Sequence, residues 1–180
     1  MARARFLIIA AALALLSPSA RGQQAQNSLT WGFTSEIETL DPYATAKRTA
    51  QLVIRHVLET LLYRDPVSGA AKPLLATSWR WVDDRTLEMT LRQGVKFHNG
   101  EPFDAAAVQL NWDENTRVQQ PFRAGQFLNF KPGSRLEILD PYTIQFHFPA
   151  PDGTALVKLS SMHIGSRQFW AEQGWGEQSW

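Results

Sequence analysis

The chain has 180 residues, of which 44% are hydrophobic and 19% charged, and its formal net charge is +1. This composition suits an ordinary globular domain with a hydrophobic core. The chain contains no cysteine, which excludes disulfides, and no block of Lys and Arg, so a nucleic-acid partner is not expected.

The N-terminus has the pattern of a secretory leader. Arg3 and Arg5 precede an unbroken apolar run over residues 6–16, and small residues follow it. The run is shorter than the roughly 20 residues that span a bilayer. It therefore indicates a signal peptide over residues 1–22, cleaved between residues 19 and 25, and a buried N-terminal helix is the alternative. Removal of the leader takes away three arginines, so the formal charge falls from +1 to −2.

The first part of the mature chain contains two patterns. Trp31 and Phe33 lie on one face of a short strand predicted over residues 29–33. Over residues 46–63, apolar residues recur every three and four positions, which predicts an amphipathic helix. Pro66 follows in a segment predicted to end that helix.

The next two strands are predicted to form a hairpin. Trp79 and Trp81 lie two positions apart in the first strand, and the turn is predicted at residues 83–85. From Leu87 to Leu91, apolar and polar residues alternate, the period of a half-buried strand.

A turn and a helix follow this hairpin. Residues 98–100, His-Asn-Gly, predict a tight turn because Asn-Gly tolerates positive φ angles. Asp104 is a good N-cap, and Phe103 and Val108 have the spacing of a hydrophobic staple around it. The sequence therefore predicts a helix that begins after Asp104.

The C-terminal half is less regular. Residues 119–132 show no clear period, whereas strands are predicted around residues 136–138 and 144–148. A short helix is predicted over residues 154–159, and residues 169–180, rich in Gly and Trp, have no clear period.

The motif LRQGVKFHNGEPFDAAAV at residues 91–108 resembles the signature of the family-5 extracellular solute-binding proteins, the receptors of bacterial ABC importers for dipeptides, oligopeptides and nickel. The segments at residues 40–42, 73–79 and 140–144 are similar to further landmarks of this family, in the same order. One departure is Ala107, where the family usually has an acidic residue.

The resemblance implies that residues 23–180 are the N-terminal part of such a receptor. Its fold would be α/β (mixed α+β) and type II periplasmic-binding-protein-like, truncated to most of lobe one including its β-rich subdomain. It further implies a periplasmic, monomeric protein without enzymatic activity or cofactor. That protein would capture a small peptide or related small solute and deliver it to an ABC transporter permease in the inner membrane. Because family members are much longer, the chain is expected to be a fragment that does not bind alone.

The residues themselves predict no catalytic or metal site. The histidines lack the spacing of a zinc motif. The carboxylate pairs Asp83–Asp84 and Asp113–Glu114 are expected to be solvated, whereas catalytic pairs need contrasting environments. No nucleophile elbow or phosphate-binding loop is present.

Tryptophans could fill a core or stack on a ligand. Trp31, Trp79, Trp81 and Trp112 lie at strand or helix periodicity, which favours core packing.

Four residues are candidate ligand contacts. The resemblance implies that three segments border the ligand cleft: the loop at residues 40–47, the irregular segment at residues 121–122 and the segment at residues 161–163. This gives Tyr43, Thr45, Phe122 and Met162 as cleft-lining groups. Aromatic and methionine side chains suit a receptor for varied ligands because they pack adaptably.

Two other classes of protein stay open on the sequence alone. One is a secreted carbohydrate-binding or adhesion module, which the tryptophans would suit. The other is a secreted hydrolase that uses Asp83, Asp84 or Ser161.

Overall fold

The structure is a computed structural model that describes residues 30–45, 47–118 and 128–175. The chain divides into two units after Thr34. In the first unit, the described residues 30–34 form no strand, so the strand prediction is wrong there. A strand exists only through hydrogen bonds to a partner strand. The rings of Trp31 and Phe33 instead pack edge to face, with centroids 6.2 Å apart.

The first helix of the second unit, α1, covers Arg48–Val57 and is shorter than the predicted span of 46–63. It ends because Leu58 takes up an extended backbone, with φ −117° and ψ 137°. Leu61 and Leu62 continue the apolar pattern but are fully buried in the non-helical chain that follows. A short apolar run fits a helix and a buried strand equally well, so the pattern could not place this boundary.

The strands described in the second unit pair in antiparallel fashion. β1 (Glu59–Thr60) pairs with β8 (His163–Ile164), and β2 (Leu62–Arg64) pairs with β3 (Ala71–Pro73). The larger sheet has the order β4 (Ala76–Trp81), β5 (Thr86–Leu91), β7 (Thr143–His147) and β6 (Arg135–Asp140). The other helices are α2 (Ala105–Arg117), α3 (Ala155–Leu159) and α4 (Arg167–Gln173).

The larger sheet carries the core on one face. Leu87, Met89 and Leu91 of β5 are buried, which confirms the alternation predicted for this strand. Trp112 of α2 packs on the same face, with its ring centroid 5.0 Å from that of Phe146 on β7. The sheet and α2 therefore bury each other's apolar side chains, as a layered fold requires.

The tryptophan predictions were only partly correct. Trp112 is buried and Trp79 packs partly against the core, but Trp31 is 47% and Trp81 41% exposed. Trp81 ends β4, which lies at the sheet edge, and its ring centroid is 6.0 Å from that of Phe148. Trp170, which no pattern assigned to a face, is buried in α4.

The turn-and-cap prediction before α2 is confirmed. Gly100 has φ +87°, the left-handed conformation that glycine tolerates best. The Asp104 carboxylate accepts a hydrogen bond of 2.9 Å from the Ala107 amide, and Phe103 and Val108 are both buried. Within the described ranges, the helices are too short or too polar to cross a lipid bilayer.

Replacing Asp104 by Ala should lower the free energy of unfolding by about 1 kcal/mol, because the first turn of α2 loses its cap. Asp104→Asn keeps an acceptor oxygen and should cost less. Urea unfolding followed by circular dichroism measures the difference. Asp113→Ala on the exposed side of the same helix is the control, and an equal loss there would contradict the capping role.

Candidate functional site

The loop at residues 39–45 is held by hydrogen bonds within itself and to α1. Asp41 accepts from the Tyr43 amide at 2.8 Å through its side chain and from the Ala44 amide at 3.3 Å through its carbonyl. The Gln51 side chain donates to the Thr45 carbonyl at 2.9 Å. This is an Asx-type turn anchored on a helix, so the loop has one conformation set by its own sequence.

Tyr43 connects this loop to β8. Its ring is fully buried, its centroid lies 5.7 Å from that of Trp175, and its hydroxyl donates a 2.6 Å hydrogen bond to the His163 carbonyl. Burial raises the pKa of Tyr43 well above its usual value, and the negative charges of Asp41 and Glu114 add to that effect. The hydroxyl therefore keeps its proton and serves as a donor.

The segment after β8 is held by a buried amide. Asn111 on α2 donates to the Gly165 carbonyl at 2.8 Å and accepts from the Gly165 amide at 3.1 Å. The same amide nitrogen donates to the Ala107 carbonyl at 2.8 Å. The indole of Trp170 lies so close that a Cβ at Gly165 would meet its Nε1 at 2.3 Å, so only glycine fits there.

A charged network fixes the start of α4. The Glu101 carboxylate accepts from the Ser166 hydroxyl at 2.5 Å, from Arg167 Nε at 2.8 Å and from the Gln168 amide at 3.0 Å. Asn99 in the tight turn donates to the Ser166 oxygen at 2.8 Å. Burial acts to raise the pKa of Glu101, but these hydrogen bonds and the Arg167 charge outweigh it and hold that pKa below its ordinary value.

His163 is neutral at physiological pH. Its side chain is buried, and this burial, together with the nearby positive charge of Arg55, lowers its pKa to about 4. A hydrogen bond to the Ser161 backbone acts in the opposite direction and is outweighed. The imidazole therefore carries no charge in the packed segment that faces Tyr43.

The structure brings three of the four candidate contact residues into one region. Tyr43 and Met162 are fully buried and Thr45 is 5% exposed. Phe122 lies outside the described residues. The pairing of the 39–45 loop with the segment from Met162 to Ser166, which we call the junction, was implied only by the family resemblance.

The residues that fix the junction were not found from the sequence. Asn111 lies within the helical pattern of α2, and Gly165 lies 54 residues further along the chain. Neither carries a local signal for this contact. Glu101 lies within the resemblance motif, yet its partners Ser166 and Arg167 are more than 60 positions away, so spacing could not reveal them.

A cavity of about 550 Å³ opens beside the junction, where Gly165 and Ser166 line it but the buried Tyr43, Thr45 and Met162 do not. Leu40, Ile54, Phe97 and Trp170 give it a mainly apolar wall, and Asn99 and Ser166 add polar groups. Concave, largely apolar surfaces with a few placed polar groups are typical of small-molecule sites.

The carboxylate prediction needs one correction. Glu114 is 6% exposed instead of solvated, and its two oxygens accept from Arg117 at 2.6 and 2.7 Å on the same helix, which offsets the cost of burying the charge. In the residues that the structure describes, no cluster of His, Asp or Glu side chains has the arrangement needed to hold a metal ion.

Replacing Tyr43 by Phe should lower the free energy of unfolding by about 1 to 2 kcal/mol, because the buried bond to the His163 carbonyl is lost. Tyr63→Phe, on a ring that is 46% exposed, is the matched control and should change stability by less than about 0.5 kcal/mol. Chemical denaturation measures both. Equal effects in the two variants would show that the Tyr43 hydroxyl does not stabilise the junction.

Stability should also depend on the protonation of His163. The unfolded chain has a histidine pKa near 6.5, whereas the folded pKa is about 4, so the unfolded state binds the proton first as the pH falls. The free energy of unfolding should therefore fall by about 3 kcal/mol between these two pH values. Denaturation curves across this range test the slope. His163→Gln should flatten it, and an unchanged slope in that variant would assign the effect to other groups.

Much of the chain is similar in sequence to known proteins. Residues 70–179 match the family described as bacterial extracellular solute-binding proteins, family 5 Middle. The glutathione-binding protein GsiB of Salmonella paratyphi A is 33% identical over 118 residues, which cover 65% of this chain and 22% of the relative. This chain thus spans about a fifth of the length of the curated relatives it matches.

Solved structures agree with this result. NikA from Brucella suis, in complex with Fe(III)-EDTA, has a TM-score of 0.66 and 26% identity, and the match covers 78% of this chain and 28% of NikA. OppA from Burkholderia pseudomallei has a TM-score of 0.63 and 25% identity, with 79% and 31% of the two chains covered. These structures confirm the predicted mixed α/β, type II periplasmic-binding-protein fold. The chain belongs to the family-5 bacterial extracellular solute-binding proteins.

Proposed function

We propose that this chain forms one wall of the solute site in the periplasmic receptor of an ABC importer for peptides or related small solutes. The observation that carries the proposal is the junction, where Tyr43 ties the 39–45 loop to His163 beside a cavity of about 550 Å³. Family membership supports the same function. The similarity to a glutathione-binding protein favours a small peptide-like solute.

The contacts of the junction support a rigid binding wall. Thr45 is held by Gln51, and Gly165 by Asn111, before any ligand arrives. Preformed surfaces bind better because no ordering cost is incurred on binding. Since the match covers 22% of the relative, the opposing wall belongs to sequence outside the matched region. Closure of two lobes would then exclude water from the polar contacts to the solute.

The proposal includes export, assembly and the absence of turnover. Residues 1–22 act as the signal peptide, residues 23–180 are the N-terminal part of the receptor, and the mature protein is a periplasmic monomer that meets its permease at the inner membrane. It binds its solute without converting it and needs no cofactor. Tyr43, Thr45, Phe122 and Met162 remain the proposed ligand-lining residues. Family membership does not favour a carbohydrate-binding or adhesion module.

One wall alone is expected to bind a solute only weakly, so nuclear magnetic resonance at millimolar ligand tests this function on the exported chain. With millimolar glutathione or trialanine, amide shifts should change at residues 39–45 and 162–166, because these residues form the proposed wall. Thr45→Val removes a hydroxyl from this wall and should reduce the changes. Thr77→Val, on an exposed position of β4, is the matched control and should leave them intact.

Three results would contradict the proposed function. The first is a response to cellobiose alone, which would indicate a carbohydrate-binding module. The second is a set of shifts confined to other surfaces. The third is chemical conversion of either peptide, which would indicate an enzyme.

A further inference from the structure

A second cavity of about 550 Å³ lies next to the apolar one and shares Leu58 with it. Arg55 of α1 and Arg64 of β2 line it, with Ser160, Ser161 and His163 on another part of its wall. None of the residues of the 39–45 loop lines it. It is therefore a different surface from the proposed solute wall, although His163 reaches both.

The cations of this cavity are incompletely neutralised. In the described part of the chain, neither Arg55 nor Arg64 has a carboxylate within 4.0 Å, and the recorded hydrogen bond of Arg64 is a long one of 3.4 Å from Nε to the Gly69 carbonyl. The terminal nitrogens of a guanidinium donate in a fixed fork that matches a carboxylate or phosphate group.

The acids on the same wall offset this charge only in part. Asp65 accepts from Lys72 Nζ at 2.5 Å and from the amides of Val67 and Ser68. Its negative charge is therefore already balanced by these donors. Glu59 is the remaining carboxylate on this wall. With Lys72 counted beside its partner Asp65, three cations face two carboxylates, so the surroundings of the cavity have a formal charge of +3 − 2 = +1.

The end of α1 accounts for only one of these cations. Arg55 lies in the last turn of the helix, where a positive charge complements the carbonyl end of the helix dipole. Arg64 lies on β2 and has no such role. An interaction with the helix dipole therefore explains the position of Arg55 but not that of Arg64 in the same cavity.

We propose that this cavity is a second site, which binds a small anion carrying a carboxylate or phosphate group between Arg55 and Arg64. The Ser161 hydroxyl, whose bond to the Val157 carbonyl is 3.4 Å long, is a third donor that can turn toward the anion. Glu59 opposes the anion and limits its affinity.

The titration of the His163 ring should show whether an anion occupies this cavity. Its ring lines the cavity, and the positive charge of Arg55 contributes to its lowered pKa. An anion beside the two arginines would offset that charge and raise the pKa of the imidazole. The expected change is therefore an upward shift of the His163 titration that depends on anion concentration.

The test uses the exported chain with inorganic phosphate and, separately, succinate. Binding is measured by amide shifts and by the titration of the His163 ring proton at constant ionic strength. Arg55→Gln and Arg64→Gln should each weaken binding about tenfold, since each removes a charge-assisted contact. Glu59→Gln should strengthen it, because a repulsive charge is removed. Arg135→Gln, on an exposed arginine of β6 that does not line the cavity, should leave binding unchanged.

Opposite effects of the Arg55 and Glu59 variants would support the proposal, and the preferred probe would tell a phosphate site from a carboxylate site. The proposal is overturned if neither anion shifts the amides around the cavity. It is also overturned if Arg135→Gln weakens binding as much as Arg55→Gln. Because residues 39–45 and 164–166 do not line this cavity, shifts at those residues test the solute wall whatever the outcome here.

Discussion

The pair of hydrogen bonds between the Asn111 side chain and the Gly165 backbone fixes the arrangement of the second unit. Both partners are buried, and the pair joins α2 to a segment 54 residues later. A buried amide without partners costs about 1 to 3 kcal/mol, so alternatives that separate α2 from this segment are disfavoured. The position of α2 on the sheet therefore sets the position of the chain after β8.

Several contacts can form only once that segment is in place. Trp170 lies against Gly165, where a Cβ would collide with its indole. Ser166 caps α4 through the Phe169 amide while it donates to Glu101. The His163 carbonyl, one residue beyond Met162, is then available to the Tyr43 hydroxyl. Local hydrogen bonds set the shape of the 39–45 loop, whereas its attachment to β8 depends on the position of α2, although the loop and α2 share no direct hydrogen bond among those described.

Local features were predictable from the sequence, and distant ones were not. The cap at Asp104 and the alternation through Leu87 depend on neighbours a few positions away, so their patterns predicted them correctly. The end of α1 was missed because Leu61 is buried whether it is helical or extended. The role of Asn111 was missed because its partner is remote, and a mid-helix asparagine can either point to solvent or form a hydrogen bond in the interior. The family resemblance supplied the neighbourhood of Tyr43 and Met162, but not the bonds that create it.

His163 belongs to both proposed surfaces through different atoms. Its carbonyl accepts from Tyr43 at the solute wall, whereas its ring lines the cationic cavity. Protonation or a bound anion acts on the ring and leaves both partners of the carbonyl bond intact. Coupling between the two surfaces would therefore require movement of the main chain at β8. Pairing with β1 and the Asn111 amide both oppose such movement, so the two sites are expected to bind independently.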